Sequence, residues 1–344
     1  MKMNDIKFDW NDVTIAPSPT FTDINSRKKE VNPYKYGKML PLIAAPMDTV
    51  IDADSYENFL NAGIEVCTPR GVDVNDDRTF KSIGIKEIED ILKLGKSPKK
   101  VLLDVANGHM KLVYDLAKSF KTKFPDSELM VGNIAHPDIF LEYENIGVDY
   151  VRCGIGGGSA CTTSANTSVH YPMGSLIKEC NNLRSVHTDT RLNTKIVADG
   201  GFKNYSDIIK ALGMGADYVM LGSILNKTLE SCSPSYDRTI TGNYSQIDKI
   251  TAENNFDKNL EIYKYYRGMS TKEVQRDWGK KVLTTSEGIS MYNKVEYKLD
   301  GWVENLTDYL MSTMSYCGKR KLEDFIGGVD FVRITQQAFN RFNK

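Results

Sequence analysis

One stretch near the middle of the chain, GIGGGSACTT (154–163), places glycines directly before a serine, a cysteine and two threonines. Glycines adopt positive φ angles, so successive backbone groups can point at a phosphate through N–H or at a monovalent cation through C=O. A cysteine among such dipoles can act as a thiolate nucleophile. On spacing alone, Cys161 is either this nucleophile or a small buried side chain, and the glycines either hold a ligand or form a flexible turn.

Two further polar motifs, ADGGF (198–202) and LGS (221–223), each follow an apolar run. The loops after the last strands of a barrel often bind phosphate through backbone N–H groups, and the Ser223 hydroxyl adds a donor. Asp199 can accept hydrogen bonds from ribose hydroxyls, or it can simply cap a turn. The two motifs therefore predict a phosphate site beside a ribose site.

The elements that must position these motifs are short apolar runs rich in β-branched residues, which alternate with helical patterns such as 110–123 and 204–214. Nearly continuous apolar runs are typical of parallel strands buried on both faces. The predicted strands are 41–47, 63–69, 100–106, 128–134, 149–154, 195–201, 217–223 and 262–268. This alternation favours a (β/α)8 TIM barrel over a doubly wound open sheet. In a barrel the polar strand ends converge on one mouth.

Two long excursions interrupt the alternation. The stretch 225–260 is polar and weakly periodic, and we interpret it as a lid or a surface loop inserted between the last two strands. The stretch 270–301 follows the predicted eighth strand and is expected to form a mobile flap at the C-terminal mouth. Since no repeat, linker or low-complexity tract divides the chain, we predict one catalytic barrel domain over 1–344.

Composition excludes several function classes. Lys plus Arg number 44 and Asp plus Glu number 45, so no basic surface for nucleic acid or membrane is expected. No apolar run approaches the ~18 residues of a membrane span, and the polar N-terminus lacks a signal-peptide core. The six cysteines form no CxxC pair and the four histidines are scattered, which favours free thiols and no structural zinc. We expect a cytoplasmic protein without nucleic-acid or membrane partners.

An ordered set of motifs makes the chain, from about residue 6 to 338, resemble the family of inosine monophosphate (IMP) dehydrogenase and guanosine monophosphate (GMP) reductase. The motifs are AAPMDTV (44–50), DVANG (104–108), GNI (132–134), GIGGGSACTT (154–163), ADGG (198–201), VMLGS (219–223), YRGMS (266–270), SEG (286–288) and YCG…RITQQ (316–337). The resemblance implies a TIM barrel, usually a homotetramer, that acts at C2 of a purine nucleotide through a covalent adduct on the loop cysteine.

The resemblance also implies roles for individual residues. Cys161 would attack purine C2, and Thr163 would handle the departing amine or the attacking water. The implied substrate ligands are Ser159, Gly200, Gly201, Gly222, Ser223 and Tyr266 for the phosphate, Asp199 for the ribose, and Gly268, Met269 and Ser270 for the base. Asp104, Asn107 and Gly108 would lie beside the nicotinamide cofactor. The carbonyls of Gly156, Gly158 and Cys161 match the positions that bind potassium in the dehydrogenases.

Within the family, the dehydrogenases oxidise IMP with NAD, and the reductases deaminate GMP and reduce the adduct with NADPH. Dehydrogenases usually carry an inserted pair of regulatory (CBS) domains after the second strand. Here only about 30 residues separate EVCTP (65–69) from KVLLDVA (100–106), so this insertion is absent. Some dehydrogenases also lack it, so this feature alone leaves both activities open.

The flap sequence STKEVQRDWGKKVLTTSEG (270–288) favours the reductase. It lacks the Arg-Tyr pair of the dehydrogenases, and its only arginine is Arg276. Its SEG motif matches the reductase pattern, in which Glu287 would pair with the catalytic threonine to protonate ammonia; without the resemblance, Glu287 reads as a solvated loop residue. We therefore predict an oxidoreductase that deaminates GMP to IMP with NADPH.

The alternatives are a compact IMP dehydrogenase that uses NAD and a nucleotide-binding regulator without turnover. Retention of Cys161, Thr163 and Glu287 argues against the regulator. Pro46 matches the dehydrogenase pattern. Arg70 is the only basic residue at the position where reductases usually have a His-Lys motif. These departures leave the preference for the cofactor's phosphate open.

Overall fold

The computed structural model describes residues 6–186, 193–277, 279, 282–283 and 285–342. Its strands are β1 Val13–Ile15, β2 Leu42–Ala44, β3 Glu65–Thr68, β4 Phe80–Ile83, β5 Lys100–Asp104, β6 Glu128–Ile134, β7 Tyr150–Cys153, β8 Lys195–Asp199, β9 Tyr218–Leu221, β10 Ser235–Arg238, β11 Tyr244–Ile247, β12 Tyr263–Arg267, β13 Ser290–Lys294 and β14 Phe331–Arg333.

The helices are α1 Arg27–Glu30, α2 Tyr56–Asn61, α3 Ile85–Leu94, α4 Lys111–Lys123, α5 Pro137–Asn145, α6 Thr163–Thr167, α7 Met173–Val186, α8 Tyr205–Met214, α9 Ser223–Asn226, α10 Lys249–Asp257, α11 Lys272–Asp277, α12 Leu299–Tyr316, α13 Leu322–Phe325 and α14 Gln336–Phe342. A short 3-10 helix, Trp10–Asp12, precedes β1. Across the described ranges, no helix combines the length and the apolar character that a membrane span requires.

Strands β2 to β9 run parallel and close into a barrel, because β9 pairs back onto β2 with Leu221 opposite Ala44. Alternate strand residues point inward and form one buried cluster, which includes Ile43, Phe80, Leu102, Met130 and Val197. The intervening residues point outward and pack under the helices. Burial on both faces explains the continuous apolar runs in the sequence. The predicted (β/α)8 barrel is confirmed.

One predicted strand was assigned to the wrong sheet. The run 262–268 was expected as the eighth barrel strand, but β12 lies outside the barrel in an antiparallel sheet of order β11-β10-β12-β13. The missing barrel strand is β4, which pairs with β3 and β5. Its sequence, FKSI, carries Lys81 and Ser82 and so lacks the apolar run that revealed the other strands.

The stretch 225–260 does not lie between the last two barrel strands, as the sequence had suggested. It follows the last barrel strand and contains β10, β11 and α10, so it is not an irregular loop. The stretch 270–301 supplies α11 and β13 to the same region. The small sheet packs tyrosines across its strands, with the rings of Tyr244 and Tyr292 stacked at a centroid distance of 3.9 Å. Half-exposed antiparallel strands are polar on one face, which explains their weak signal.

The helix after β8 shows how local chemistry fixes an element. The Asn204 side chain accepts a hydrogen bond from Asp207 N at 3.0 Å and caps the N-terminus of α8. Gly215, with φ of +119°, ends it in the left-handed region. The predicted helix 204–214 therefore matches α8 closely, and this holds the loop 200–204 at the barrel mouth.

Candidate active site

The glycine-rich loop after β7 is joined to the SEG segment by backbone hydrogen bonds. Cys161 and Gly288 form an isolated antiparallel bridge. Thr162 N donates to the Glu287 carbonyl at 2.8 Å, and Ile289 N donates to the Ala160 carbonyl at 3.0 Å. Two segments that are distant in sequence therefore meet as a short ribbon at the mouth, and the ribbon fixes the side chains of both.

The ribbon brings together the three residues predicted to be catalytic. The Cys161 thiol donates to Thr163 Oγ1 at 3.3 Å, and the Thr163 hydroxyl donates to Glu287 Oε2 at 2.5 Å. All three side chains are half-buried. This chain of donors can carry the thiol proton to the carboxylate and leave a thiolate nucleophile. The same carboxyl group can then return the proton to a leaving group.

A buried arginine links the predicted ribose ligand to the predicted cofactor residue. Arg152 on β7 donates from Nε to Asp199 Oδ2 at 3.1 Å and from Nη1 to Asp104 Oδ1 at 2.8 Å. Arg70 Nε lies 3.3 Å from the other oxygen of Asp104. Burial alone would lower the pKa of Arg152, but the two carboxylates raise it above its ordinary value. Asp199 and Asp104 are thus held side by side, so the predicted ribose ligand lies next to a predicted cofactor residue.

Sequence reasoning did not assign a role to Arg152 or Asn133. Asn133 lies at a bulge in β6, where the register with β7 shifts between Gly132 and Ile134. The bulge turns its Nδ2 towards Asp199 Oδ2, 2.7 Å away. A Cβ on Gly132 would lie 2.2 Å from the Arg152 Cβ, so only glycine fits there. The available signal was an arginine inside an apolar strand, since a buried charge requires partners.

The predicted phosphate ligands come from the loops after β7, β8 and β9 and from strand β12. Gly200 and Gly201 have φ of +97° and +84°, and a Cβ on Gly200 would lie 3.0 Å from Gly158 N. A Cβ on Gly222 would lie 2.9 Å from the hydroxyl of Tyr266, which is almost fully buried.

Tyr266 links the loop after β2 and the cysteine loop to these phosphate ligands. Its hydroxyl lies 3.4 Å from Met47 Sδ. Burial raises the pKa of Tyr266 above its ordinary value, and a hydrogen bond with Ser159 opposes the shift. Ser223 directly follows Gly222 as the first residue of α9. We define the phosphate cradle as Ser159, Gly200, Gly201, Gly222, Ser223 and Tyr266.

The predicted base ligands, Gly268, Met269 and Ser270, follow β12 and lie against the cysteine loop. Gly268 N donates to the Ile289 carbonyl at 3.1 Å, and a Cβ on Gly268 would lie 2.6 Å from the Ala160 carbonyl oxygen. The small antiparallel sheet therefore positions the predicted base ligands and Tyr266 at the mouth. This is the positioning role that the barrel assignment of 262–268 had missed.

The flap helix α11, which follows β12, is tied to the barrel through Arg267, the last residue of β12. Its Nη2 donates to Asp48 Oδ2 at 2.6 Å and to Asp277 Oδ2 at 2.7 Å. Asp48 lies in the loop after β2, and Asp277 ends α11. Arg267, which follows Tyr266 in the chain, therefore holds α11 beside the predicted base ligands.

The loop after β5 carries the remaining predicted cofactor residues. Asn107 is exposed, and its Oδ1 accepts from His109 N at 3.0 Å. Gly108 is buried; its N–H donates to the Asn133 carbonyl at 2.8 Å, and its carbonyl accepts from the Tyr143 hydroxyl at 2.6 Å. His109 Nε2 accepts from Ala135 N at 3.0 Å. Hydrogen bonds to its backbone and side chains therefore hold this loop beside Asp104.

Two of the three carbonyls predicted to hold potassium, those of Gly156 and Gly158, already accept hydrogen bonds within the chain. Gly156 O accepts from the Ser164 hydroxyl at 2.9 Å, and Gly158 O accepts from Cys161 N at 3.0 Å. A carbonyl oxygen has a second lone pair, so these bonds leave room for a cation. Among the residues placed by the structure, no group of three or more His, Cys, Asp or Glu side chains could hold a metal ion.

Comparison with known proteins identifies the family of the chain. Residues 82–342 match the family model described as "IMP dehydrogenase / GMP reductase domain". The chain is 30% identical to a GMP reductase of Buchnera aphidicola subsp. Schizaphis graminum, with 98% of both chains covered. It is 30% identical to a GMP reductase of Lactobacillus delbrueckii subsp. bulgaricus, with 97% of this chain and 96% of that one covered. It is 26% identical to GMP reductase 2 of Bos taurus over 97% and 96% of the two chains.

The family match extends over most of the barrel and the small sheet, and these relatives align along nearly the whole chain. The chain therefore belongs to the IMP dehydrogenase / GMP reductase family.

Proposed function

We propose that this protein deaminates GMP reductively to IMP and ammonia, with NADPH as the reductant. The observation that carries the proposal is the hydrogen-bonded chain from Cys161 through Thr163 to Glu287. It supplies a nucleophile and a proton carrier at one point of the mouth. The GMP reductase names of the relatives support the same reading.

Substrate binding follows from the site geometry. The phosphate cradle holds the 5′-phosphate, and Asp199 accepts hydrogen bonds from the ribose hydroxyls. Gly268, Met269 and Ser270 contact the base, so purine C2 lies over Cys161. Arg152 and Asn133 keep the Asp199 carboxylate in one orientation, which reduces the ordering needed when substrate binds.

The first step removes the amino group. The Cys161 proton passes through the Thr163 hydroxyl to Glu287, and the sulfur adds to purine C2. The bond between C2 and the exocyclic nitrogen then breaks, and Glu287 gives its proton to the departing nitrogen, which leaves as ammonia. The covalent product is a thioimidate between Cys161 and C2. Glu287 is again a carboxylate, and its charge is stabilised by the hydrogen bond from Thr163.

The second step releases IMP. A reduced nicotinamide cofactor supplies a hydride to C2 when it is bound. Its ring would lie beside Asp104, Asn107 and Gly108. Arg152 connects Asp104 to Asp199, the proposed ribose ligand. The C2–S bond breaks and the electron pair returns to sulfur. Glu287 takes up a proton from solvent and passes it through Thr163 to Cys161.

Purified protein with GMP and NADPH tests the proposal. We expect nicotinamide absorbance to fall while one ammonia is released for each NADPH consumed. Absence of this change, together with a rise in absorbance when IMP and NAD are mixed with the protein, would instead identify a compact dehydrogenase. Tight nucleotide binding without either change would identify a regulator.

Finer properties belong to the same proposal. We expect NADPH to be used in preference to NADH, a homotetramer in solution and a cytoplasmic location. Potassium would bind the carbonyls of Gly156, Gly158 and Cys161. Activity in potassium chloride compared with choline chloride tests the ion, because equal rates would remove it, and light scattering after size-exclusion chromatography tests the tetramer.

A further inference from the structure

We propose that the indole N–H of Trp10 donates a hydrogen bond to the phosphate group of the bound nucleotide. This inference rests on the proposed function, because it adds a donor to the phosphate cradle of the same site. Trp10 begins the short 3-10 helix before β1, far in sequence from every loop of the cradle. Nothing in its own segment marks it as a ligand residue.

The first observation is an unsatisfied donor. Trp10 is 4% exposed, and within the described part of the chain its Nε1 has no hydrogen-bond partner. A buried N–H without a partner has given up its hydrogen bond to water, and this loss lowers the stability of the folded state. A phenylalanine would fill most of the same space without that cost, so packing alone does not explain a tryptophan here.

The second observation is where the donor lies. Trp10 Nε1 is the nearest heavy atom to a Cβ built on Gly201, at 3.5 Å, and Gly157 O follows at 3.7 Å. Gly201 belongs to the phosphate cradle, and Gly157 lies in the adjoining cysteine loop. The indole nitrogen therefore lies beside the backbone of the cradle, and no side chain of Gly201 or Gly157 stands between them.

The third observation is that the ring is fixed in place. The Trp10 carbonyl accepts a hydrogen bond from the buried Lys210 ammonium at 2.8 Å. The indole stacks on Phe202, the residue after Gly201, with centroids 5.5 Å apart and planes inclined by 25°. The donor is thus held by the same loop that forms the cradle. A fixed donor beside a phosphate needs little reorganisation to bind it.

Phosphate oxygens are strong acceptors, and hydrogen bonds to a charged group are stronger than those between neutral groups. The competing partners for the indole N–H are a water molecule or the Gly157 carbonyl. With either partner, the N–H would not respond to the phosphate group of the ligand. The experiment must therefore separate phosphate from the rest of the nucleotide.

The direct test is nuclear magnetic resonance of the full chain with 15N-labelled tryptophan. The chain has three tryptophans, and Trp10→Phe identifies the Trp10 indole signal. We expect this signal to shift on titration with inorganic phosphate and with GMP, but not with guanosine. The inference is overturned if the signal stays in place while calorimetry shows that GMP binds, or if guanosine shifts it equally.

The second test is affinity. Trp10→Phe should weaken GMP binding about tenfold, as expected for one lost hydrogen bond to a charged group, and leave guanosine binding unchanged. Trp302→Phe is the matched control, because Trp302 stacks on Tyr205 rather than on the cradle. Equal losses for GMP and guanosine would show that Trp10 only supports the fold. If Trp10→Phe does not fold, Trp278→Phe and Trp302→Phe identify the other two indole signals, and the remaining signal of the wild-type chain is that of Trp10.

These outcomes are separable from failure of the proposed function. If the wild-type chain binds GMP but does not turn it over, the proposed function fails while the Trp10 signal still reports the phosphate contact. If turnover is observed and the Trp10 signal does not respond, only this inference fails.

Discussion

The Glu287 carboxylate accepts a 2.5 Å hydrogen bond from the Thr163 hydroxyl, although 124 positions separate the two residues in the chain. The contact depends on the backbone ribbon between the cysteine loop and the SEG segment. It places Glu287 next to Thr163, whose hydroxyl accepts a hydrogen bond from the predicted nucleophile, Cys161.

Glu287→Gln should lower the rate of ammonia release by about 10²- to 10⁴-fold, because an amide can hold the Thr163 hydroxyl but cannot carry a proton. Hydride transfer to the thioimidate adduct, formed beforehand from IMP and oxidised nicotinamide cofactor, should change much less, which rapid-mixing kinetics can measure. Glu296→Gln, a surface glutamate paired with Lys227, is the control and should behave as the wild type. Equal losses in the two steps would remove Glu287 as the acid.

Cys161→Ala should abolish turnover while GMP still binds, because the variant removes the nucleophile and leaves the cradle intact. Intact mass spectrometry of the wild type during turnover should show a nucleotide adduct that the variant lacks. Cys317→Ala is the matched control, since burial raises the pKa of the Cys317 thiol and makes it a poor nucleophile. Residual activity in Cys161→Ala would contradict the covalent mechanism.

Arg152→Met should destabilise the fold by about 3–5 kcal/mol, because it leaves Asp199 and Asp104 facing each other without their shared cation. Urea unfolding gives the free energy of unfolding, and GMP titration should show weaker binding in the same variant. Arg78→Met is the control, because Arg78 pairs with Asp76 at an exposed site. A loss no larger than that of the control would show that the network does not hold the site together.

Acid should loosen the loop after β5 through His109. Burial, followed by the charge of nearby His136, lowers the pKa of His109 below its ordinary value of 6.5, and the neutral ring accepts the Ala135 N–H. The unfolded chain therefore binds more protons near and below that pH, so this contribution to stability is present above about pH 6.5 and is lost as the pH falls.

Hydrogen exchange at Ala135 should accordingly be faster at about pH 5.5 than at about pH 7.5, after correction for the intrinsic rate. His109→Gln should remove most of that pH dependence. His170→Gln is a control on an exposed histidine of another loop. An Ala135 amide whose protection does not change with pH would refute the role of His109.

Arg267→Ala should release α11 and the base ligands together, because one guanidinium binds both Asp48 and Asp277. We expect a KM for GMP raised several-fold, with faster hydrogen exchange confined to α11. Arg320→Ala removes a surface arginine paired with Asp23 and serves as the control. An unchanged exchange rate in α11 would show that other contacts hold the helix.

The sequence by itself determined the barrel and most of its strands, because burial on both faces leaves a continuous apolar run in each strand. It also located the glycine loops and the cysteine, since backbone that approaches a ligand closely requires glycine. The helical pattern 204–214 matches α8, because the Asn204 cap and Gly215 that bound this helix are local features of the chain. These features depend on neighbours within a few positions along the chain.

Only the tertiary structure decided which strands close the barrel and which side chains meet at its mouth. Lys81 and Ser82 concealed β4, and Tyr263–Arg267 entered a separate sheet, because strand pairing depends on partners distant in sequence. The contacts of Arg152 with Asp104 and Asp199, and of Trp10 with Gly201, likewise join residues that only barrel closure brings together. Local patterns record burial, whereas such pairs record where distant chain segments end up in space.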